Sequence, residues 1–160
     1  MLKGLFGGSR PGRRDDAELG KGVWRRAHDR FRRGLDRFHQ MLEGIEADAT
    51  GPASGQATAD TYAALIPIAD GLADLLPRVR RIAAEAQGIA PSEGTEIPTG
   101  TGGYLNDVHR ELSRAGNALA AAAEAVAMLR LGAGDRAAVE RRAAIVHEHV
   151  GRAEALLRKR

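Results

Sequence analysis

The chain has 160 residues, which is enough to bury the core of one domain without help from a metal ion or a disulfide. It has no cysteine, which excludes disulfides, thiolate zinc sites and cysteine nucleophiles within these residues. The net charge of +3 is unevenly distributed, since residues 1–40 hold 11 Lys/Arg and 5 Asp/Glu. If the protein binds an acidic surface, this basic N-terminal part should make the contact.

Residues 1–14 form a predicted apolar and basic tail ahead of the helical part of the chain. If residues 2–7 form a helical turn, three bulky apolar residues share one side of it, and two glycines then end the turn. Such a hook suits a groove on a partner protein or an anionic membrane interface, and the alternative is a terminus that folds back onto the helices. The apolar run is too short for a secretory signal. The candidate partner- or membrane-binding residues are Leu2, Lys3, Leu5, Phe6, Arg13 and Arg14.

The first predicted helix runs from about Asp15 to Asp48. Its apolar residues recur at spacings of three and four, so they form one stripe that should be buried. Gly20 and Gly22 weaken the first part, so the regular helix is expected to start nearer Val23. The stripe consists of Trp24, Ala27, Phe31, Leu35, Phe38, Leu42 and Ile45.

The second predicted helix follows the turn-forming segment 50–59 and is the most apolar of the four. Thr58 or Asp60 is its expected N-cap. Pro67 and Pro77 each remove a backbone hydrogen bond from its interior, so we expect kinks at both residues or a split near Pro77. Residues 88–103, rich in glycine and proline, are the longest predicted loop.

The third and fourth predicted helices begin near Tyr104 and after Asp135, with the LGAG segment 131–134 between them. Gly132 is the expected C′ residue of the third helix, and Asp135 is the expected N-cap of the fourth. Their short connection predicts antiparallel neighbours. The Ala/Arg-rich composition and the four apolar stripes predict an all-α fold. Residues 15–160 should form an antiparallel up-down-up-down four-helix bundle, with residues 1–14 as a short N-terminal tail.

The five histidines do not follow a metal-ligand pattern. A di-iron bundle carries Glu-x-x-His on two helices and an inward Glu on the other two, whereas the nearest match here is Asp36 three residues before His39. The apolar stripes carry no carboxylate, and no catalytic motif such as G-x-S-x-G or H-E-x-x-H is present. We therefore expect no catalytic residue, no metal and no cofactor, with the histidines on the flanks of the helices.

The arginines of the first predicted helix raise the question of nucleic-acid binding. A helical wheel distributes the six around the whole arc away from the apolar stripe. Asp29 and Asp36 lie three or four residues from Arg32 and Arg33, in register for weak surface ion pairs. We therefore expect a solvated face and no nucleic-acid partner. The six are Arg25, Arg26, Arg30, Arg32, Arg33 and Arg37.

These features together predict a non-enzymatic helical interaction module, a scaffold or adaptor in the cytoplasm. Its protein partner, whose identity the sequence does not give, should bind the N-terminal tail or the second predicted helix. Two alternatives stay open: peripheral binding of the tail to an anionic membrane surface, and a ligand- or metal-binding helical-bundle enzyme. A homo-oligomer is also compatible, because the second helix has surplus apolar surface.

Overall fold

The computed structural model describes residues 10–52, 54–97 and 103–159. In these ranges the chain forms helices and connecting turns, without a strand. The all-helical fold expected from the sequence is therefore confirmed. The helices are α1 (Arg10–Leu19), α2 (Val23–Thr50), α3 (Gln56–Ile89), α4 (Tyr104–Arg130) and α5 (Arg136–Arg158).

The first predicted helix is two helices in the structure, because the chain breaks at residues 20–22. Gly20 has φ = +69°, which an L side chain rarely adopts. A Cβ on Gly22 would lie 2.2 Å from the Ser92 carbonyl oxygen, so the loop after α3 packs directly on this backbone. The start of the regular helix at Val23 is confirmed. The expected number of four helices is wrong for the described residues, since α1 is a fifth helix. This helix includes residues on both sides of the predicted boundary between the tail and the bundle, at residues 14 and 15.

Helix α3 runs from Gln56 to Ile89 without interruption, so the split expected near Pro77 does not occur. Pro67 and Pro77 both lie on its exposed side, where water can hydrate the carbonyl groups that they leave without a helical donor.

The expected N-cap of this helix is also wrong. The N-cap is Gly55, and no side chain caps the helix. The Asp60 carboxylate instead accepts a hydrogen bond from Gln56 Nε2 (2.8 Å), so Thr58 and Asp60 both lie inside the first turns.

The turn between α4 and α5 follows its prediction. Gly132 has φ = +74°, and its N–H donates to the Leu129 carbonyl oxygen (3.1 Å). The N–H of Ala133 donates to the Met128 carbonyl oxygen (2.9 Å), which completes a Schellman motif. Asp135 then accepts from the Ala138 N–H (2.9 Å) and caps α5.

Two central helices run side by side in the same direction. Arg30 donates to Asn117, and Asp48 accepts from Arg130 (2.8 Å), so residue numbers rise together along α2 and α4. α2 also packs against α3, and α5 packs against both α3 and α4. α1 lies across α2 and α3.

One continuous apolar core joins all five helices. Every residue of the apolar stripe predicted for α2 is buried in it. α1 contributes Leu19, which is completely buried. The largest fully buried side chains are Trp24, Phe31 and Phe38.

Candidate functional site

The predicted partner- or membrane-binding residues fall into two groups. Leu2, Lys3, Leu5 and Phe6 lie outside the described residues. The other two, Arg13 and Arg14, lie on α1 with exposed side chains. Arg14 Nε donates to Glu18 Oε1 (2.8 Å) one helical turn later, and Arg13 has no ion pair among the described residues.

A cluster of charged side chains holds α1 against the two helices beneath it. The key carboxylate is Asp15, which is only 6% exposed. Arg80 of α3 donates from Nη1 to Asp15 Oδ1 (2.6 Å) and from Nε to Glu18 Oε2 (3.0 Å). Arg25 of α2 donates from Nη1 to Asp16 Oδ1 (2.8 Å). The acidic side of α1 therefore binds one arginine from each neighbouring helix.

The members of this charge cluster stabilise one another's charged forms. Hydrogen bonds from Arg14 and then Arg80 lower the pKa of the Glu18 carboxyl. Burial by itself would lower the pKa of Arg25 and Arg80, but their hydrogen bonds and the nearby carboxylates outweigh it and raise both pKa values. Docking of α1 should therefore weaken when the Glu18 carboxyl becomes protonated.

The cluster extends along α2 to a buried histidine. Asp29 accepts from Arg25 Nε (2.9 Å) and lies 3.0 Å from Nδ1 of His28. Burial would raise the pKa of Asp29, but the hydrogen bond with His28 and the Arg25 charge outweigh burial, so the pKa is lowered. His28 itself is 2% exposed, so this histidine on the flank of the apolar stripe is buried beside the core.

A second polar pair lies between α4 and α5. Glu111 is 8% exposed, and one of its oxygens lies 2.6 Å from Nδ1 of His149. Its other oxygen accepts from Arg114 Nη1 (3.2 Å). Glu111 also lines a surface cavity of about 310 Å³ with Arg110 and Lys159. Because both of its oxygens have partners, we read the pair as a link between the two helices.

Sequence reasoning missed both polar groups for the same reason. Asp15 and Arg80 are 65 residues apart, and Glu111 and His149 are 38 apart, so no local spacing connects them. Neither Asp15 nor Glu111 belongs to a predicted apolar stripe, and the structure nevertheless buries both. The one local signal was the position of Glu111 directly before Leu112 of the apolar stripe, which places it at the edge of the buried face.

His109 packs against Trp24, a fully buried aromatic side chain. Its ring lies 5.7 Å from the ring of Trp24 in an edge-on arrangement, and Trp24 Nε1 donates to the Ala90 carbonyl oxygen (3.2 Å). Burial and then the Arg26 charge lower the pKa of His109. Burial and then Arg78 lower the pKa of His147.

Within residues 10–52, 54–97 and 103–159, no three His, Asp or Glu side chains converge as metal ligands. None of the helices in these ranges combines the length and the apolar character that a bilayer crossing requires. Comparison of the chain with protein-family models, with curated proteins and with solved structures gives no match.

Proposed function

We propose that this protein is a non-enzymatic helical interaction module that engages a protein partner through its N-terminal segment, residues 1–14. The observation that supports this most directly is the charge cluster at α1, in which three acidic residues of the helix bind arginines of the neighbouring helices. The basic residues Arg13 and Arg14 remain exposed on the same helix. The predicted apolar hook, residues 2–6, therefore lies in the sequence shortly before a helix that is fixed to the body of the protein.

The other surface proposed from the sequence, the second predicted helix, has less to offer a partner. Its apolar residues are mostly buried in the core as part of α3. Ile66 and Ile89 are its exposed large apolar side chains, at 38% and 36% exposure, and they lie 23 residues apart. They are too far apart on the helix to form one contact patch. The proposal therefore assigns the contact to the N-terminal segment.

We infer that α2 to α5 alternate in direction along the chain, up-down-up-down, with α1 as an addition. The neighbours α2 and α4 are nevertheless parallel, so the arrangement differs from the bundle of antiparallel neighbours expected from the sequence. The pairing of Arg78 with Glu154 and the approach of His147 to Gly71 support a shared direction for α3 and α5. Because the chain has no cysteine, a cysteine pair introduced at Arg30 and Asn117 would report the α2–α4 alignment by crosslinking.

The function is tested by affinity capture with the full-length protein. The double variant Leu5→Asp/Phe6→Asp should lose a partner that wild type retains, because two charges cannot enter an apolar groove. The matched control is Leu131→Asp, since Leu131 is an apolar residue that is 77% exposed at the α4–α5 turn. Identical sets of captured proteins for wild type and both variants would refute the proposed role of the segment.

Exposure of Arg13 and Arg14 favours one second candidate, peripheral binding to an anionic membrane. Sedimentation with vesicles of anionic lipid, compared with vesicles of neutral lipid, separates the two functions. Binding to anionic vesicles that Arg13→Gln/Arg14→Gln abolishes would support the membrane. Absence of sedimentation at low salt would refute it, because electrostatic attraction is strongest there.

A further inference from the structure

Four arginines of α2 form a single row along the side of the helix that borders α4. Arg26, Arg30, Arg33 and Arg37 are spaced by four, three and four residues, so at about 100° per residue they fall within about 60° of the helix circumference. All four are exposed. At about 1.5 Å rise per residue, the row is roughly 16 Å long. We call these four residues the arginine row.

On a helical wheel that shows all six arginines of α2, this row is not apparent, because two of them lie on another flank of the helix. Arg25 and Arg32 lie more than about 100° away from the centre of the row, on the flank towards α1 and α3. Arg25 is drawn into the charge cluster by Asp16 and Asp29. Asp29, expected from its spacing to pair with Arg32 or Arg33, is occupied by Arg25 instead. The six arginines therefore belong to two different surfaces.

No arginine of the row forms an ion pair with a carboxylate of the described residues. Arg26 Nη2 donates to the carbonyl oxygen of Gly94 (2.5 Å), and Arg30 donates to the side chain of Asn117. Both acceptors are uncharged. The last two arginines of the row have no ion pair with any residue in the described ranges. The row thus places four positive charges along one side of a helix that is packed against the core from Val23 to Ile45.

The neighbouring surface of α4 gives a ligand close access to the row. A Cβ added to Gly116 would lie 3.6 Å from Arg30 Cδ, so the Arg30 stem covers this glycine, and Ala120 is exposed one turn further along. A Cβ added to Gly34 would lie only 3.2 Å from Leu119 Cγ, so the two helices leave no deep cleft between them. Glu124 is the α4 carboxylate that this register places nearest the end of the row, and it forms no ion pair with the row. The surface is therefore open, shallow and basic.

We propose that the arginine row binds the phosphate backbone of a nucleic-acid duplex without reading its sequence. Guanidinium groups bind phosphate oxygens in a bidentate way, and a single file of them matches one strand of phosphates. The large aromatic side chains of α2, Trp24, Phe31 and Phe38, are buried, and Tyr62 and Tyr104 are half-buried. The surface of the described residues therefore has no exposed aromatic ring on which unpaired bases could stack, which favours a duplex over a single strand.

Two other acidic partners fit this surface less well. A helix that lies on a membrane inserts apolar side chains beside its basic ones, and α2 has no exposed large apolar residue. An acidic peptide would need apolar contacts in addition to its charges, and the small residues beside the row provide little apolar area. A phosphate backbone needs only the charges, so it fits the observations best.

The salt dependence of duplex binding tests the proposal with the full-length protein. Fluorescence anisotropy of a labelled DNA duplex of about 20 base pairs is measured between about 50 and 200 mM NaCl. Four phosphate contacts predict a slope of log K against log[salt] of about −3.6, or roughly a 150-fold loss of affinity over this range. Two unrelated duplex sequences should give the same affinity and slope.

Single substitutions on neighbouring residues provide a matched control. Arg33→Gln should change the slope to about −2.7, while Arg32→Gln, with the same change of charge and a position off the row, should leave it near −3.6. Arg33→Lys should preserve the slope. Arg37→Gln repeats the test at a second position without a partner. Circular dichroism establishes that each variant is folded.

Three outcomes would overturn the proposal. The first is no duplex binding at about 50 mM salt, where counterion release is most favourable. The second is an equal effect of Arg32→Gln and Arg33→Gln, which would reflect net charge rather than the row. The third is tighter binding to anionic vesicles or to polyglutamate than to the duplex.

Discussion

Replacement of Asp15 by Asn tests whether the charge cluster holds α1 on the body of the protein. Asn has nearly the same shape, so the change removes the negative charge and little else. The Asp15 side chain accepts from Arg80 Nη1 (2.6 Å) and lies 3.8 Å from Arg25 Nη2. In the variant, Arg80 keeps Glu18 as a partner, and Arg25 keeps Asp16 and Asp29.

The expected loss of stability follows from the burial of the pair. A hydrogen bond to a charged group contributes about 1.5–3 kcal/mol net to stability. Because the Arg80 side chain is 24% exposed and both arginines keep other partners, we expect a loss at or below the low end, about 1–2 kcal/mol. For a domain of this size that corresponds to a Tm lower by roughly 3–6 °C.

Thermal unfolding and limited trypsin digestion measure the effect. Asp107→Asn is the matched control, because Asp107 pairs with Arg110 at 3.1 Å on the surface of α4, with both side chains at least half exposed. We expect the control to lower Tm by at most about 2 °C, since exposed pairs contribute little. Trypsin should cut the Asp15→Asn variant faster at Arg13, Arg14 or Lys21, as α1 opens more often. Equal Tm values and equal cleavage rates for the two variants would refute the anchoring role of Asp15.

Three further predictions test the turns and one histidine. Gly22→Ala should destabilise the fold by about 1–3 kcal/mol, because its Cβ would lie 2.2 Å from the Ser92 carbonyl oxygen. Gly151→Ala is the control, since a Cβ there has open space inside α5. In the same denaturant titration it should raise the free energy of unfolding by about 0.5–1 kcal/mol. Asp135→Ala should lower the free energy of unfolding by about 1 kcal/mol, through loss of the α5 cap; an unchanged value would contradict the cap. Because the pKa of His109 is lowered, this histidine binds a proton less readily in the folded state than in the unfolded state. The free energy of unfolding should therefore fall as the pH drops below about 6.5. His109→Gln should reduce the loss of Tm between about pH 7.5 and 5.5.

The parts of the fold that depend on local periodicity were predictable. The stripe from Trp24 to Ile45 is buried at every predicted position, because spacings of three and four can only bring those residues together on one face of a helix. The turn at Gly132 and the cap at Asp135 were equally local, since each rests on the conformation or hydrogen bonding of one residue. Such features depend only on residues within one or two helical turns of one another.

The parts that depend on packing between helices were not predictable from one sequence. Gly20 and Gly22 indicated a low helix propensity in this part of the first predicted helix. Only the packing of Ser92 on Gly22 makes it necessary that the helix is interrupted there. His28 lies on the flank of its own helix, and its burial depends on what packs there. A helical wheel describes one isolated helix, so it cannot assign a flank residue to a neighbour or to solvent. The N-terminal candidates Leu2, Lys3, Leu5 and Phe6 stay predictions, because they lie outside the described residues.

The charge cluster and the arginine row share helix α2 but lie on different flanks, which allows the two proposals to be tested separately. Release of α1 by Asp15→Asn leaves Arg25 paired with Asp29 (2.9 Å), so it should add no free charge to the arginine row. We therefore expect this variant to bind the duplex with an unchanged salt slope, although its α1 is cut faster by trypsin. A slope that became steeper by about one unit would instead show that Arg25 can reach the phosphates once α1 is displaced. In that case α1 would act as a cover over part of the basic surface, and the division of α2 into two independent flanks would be wrong.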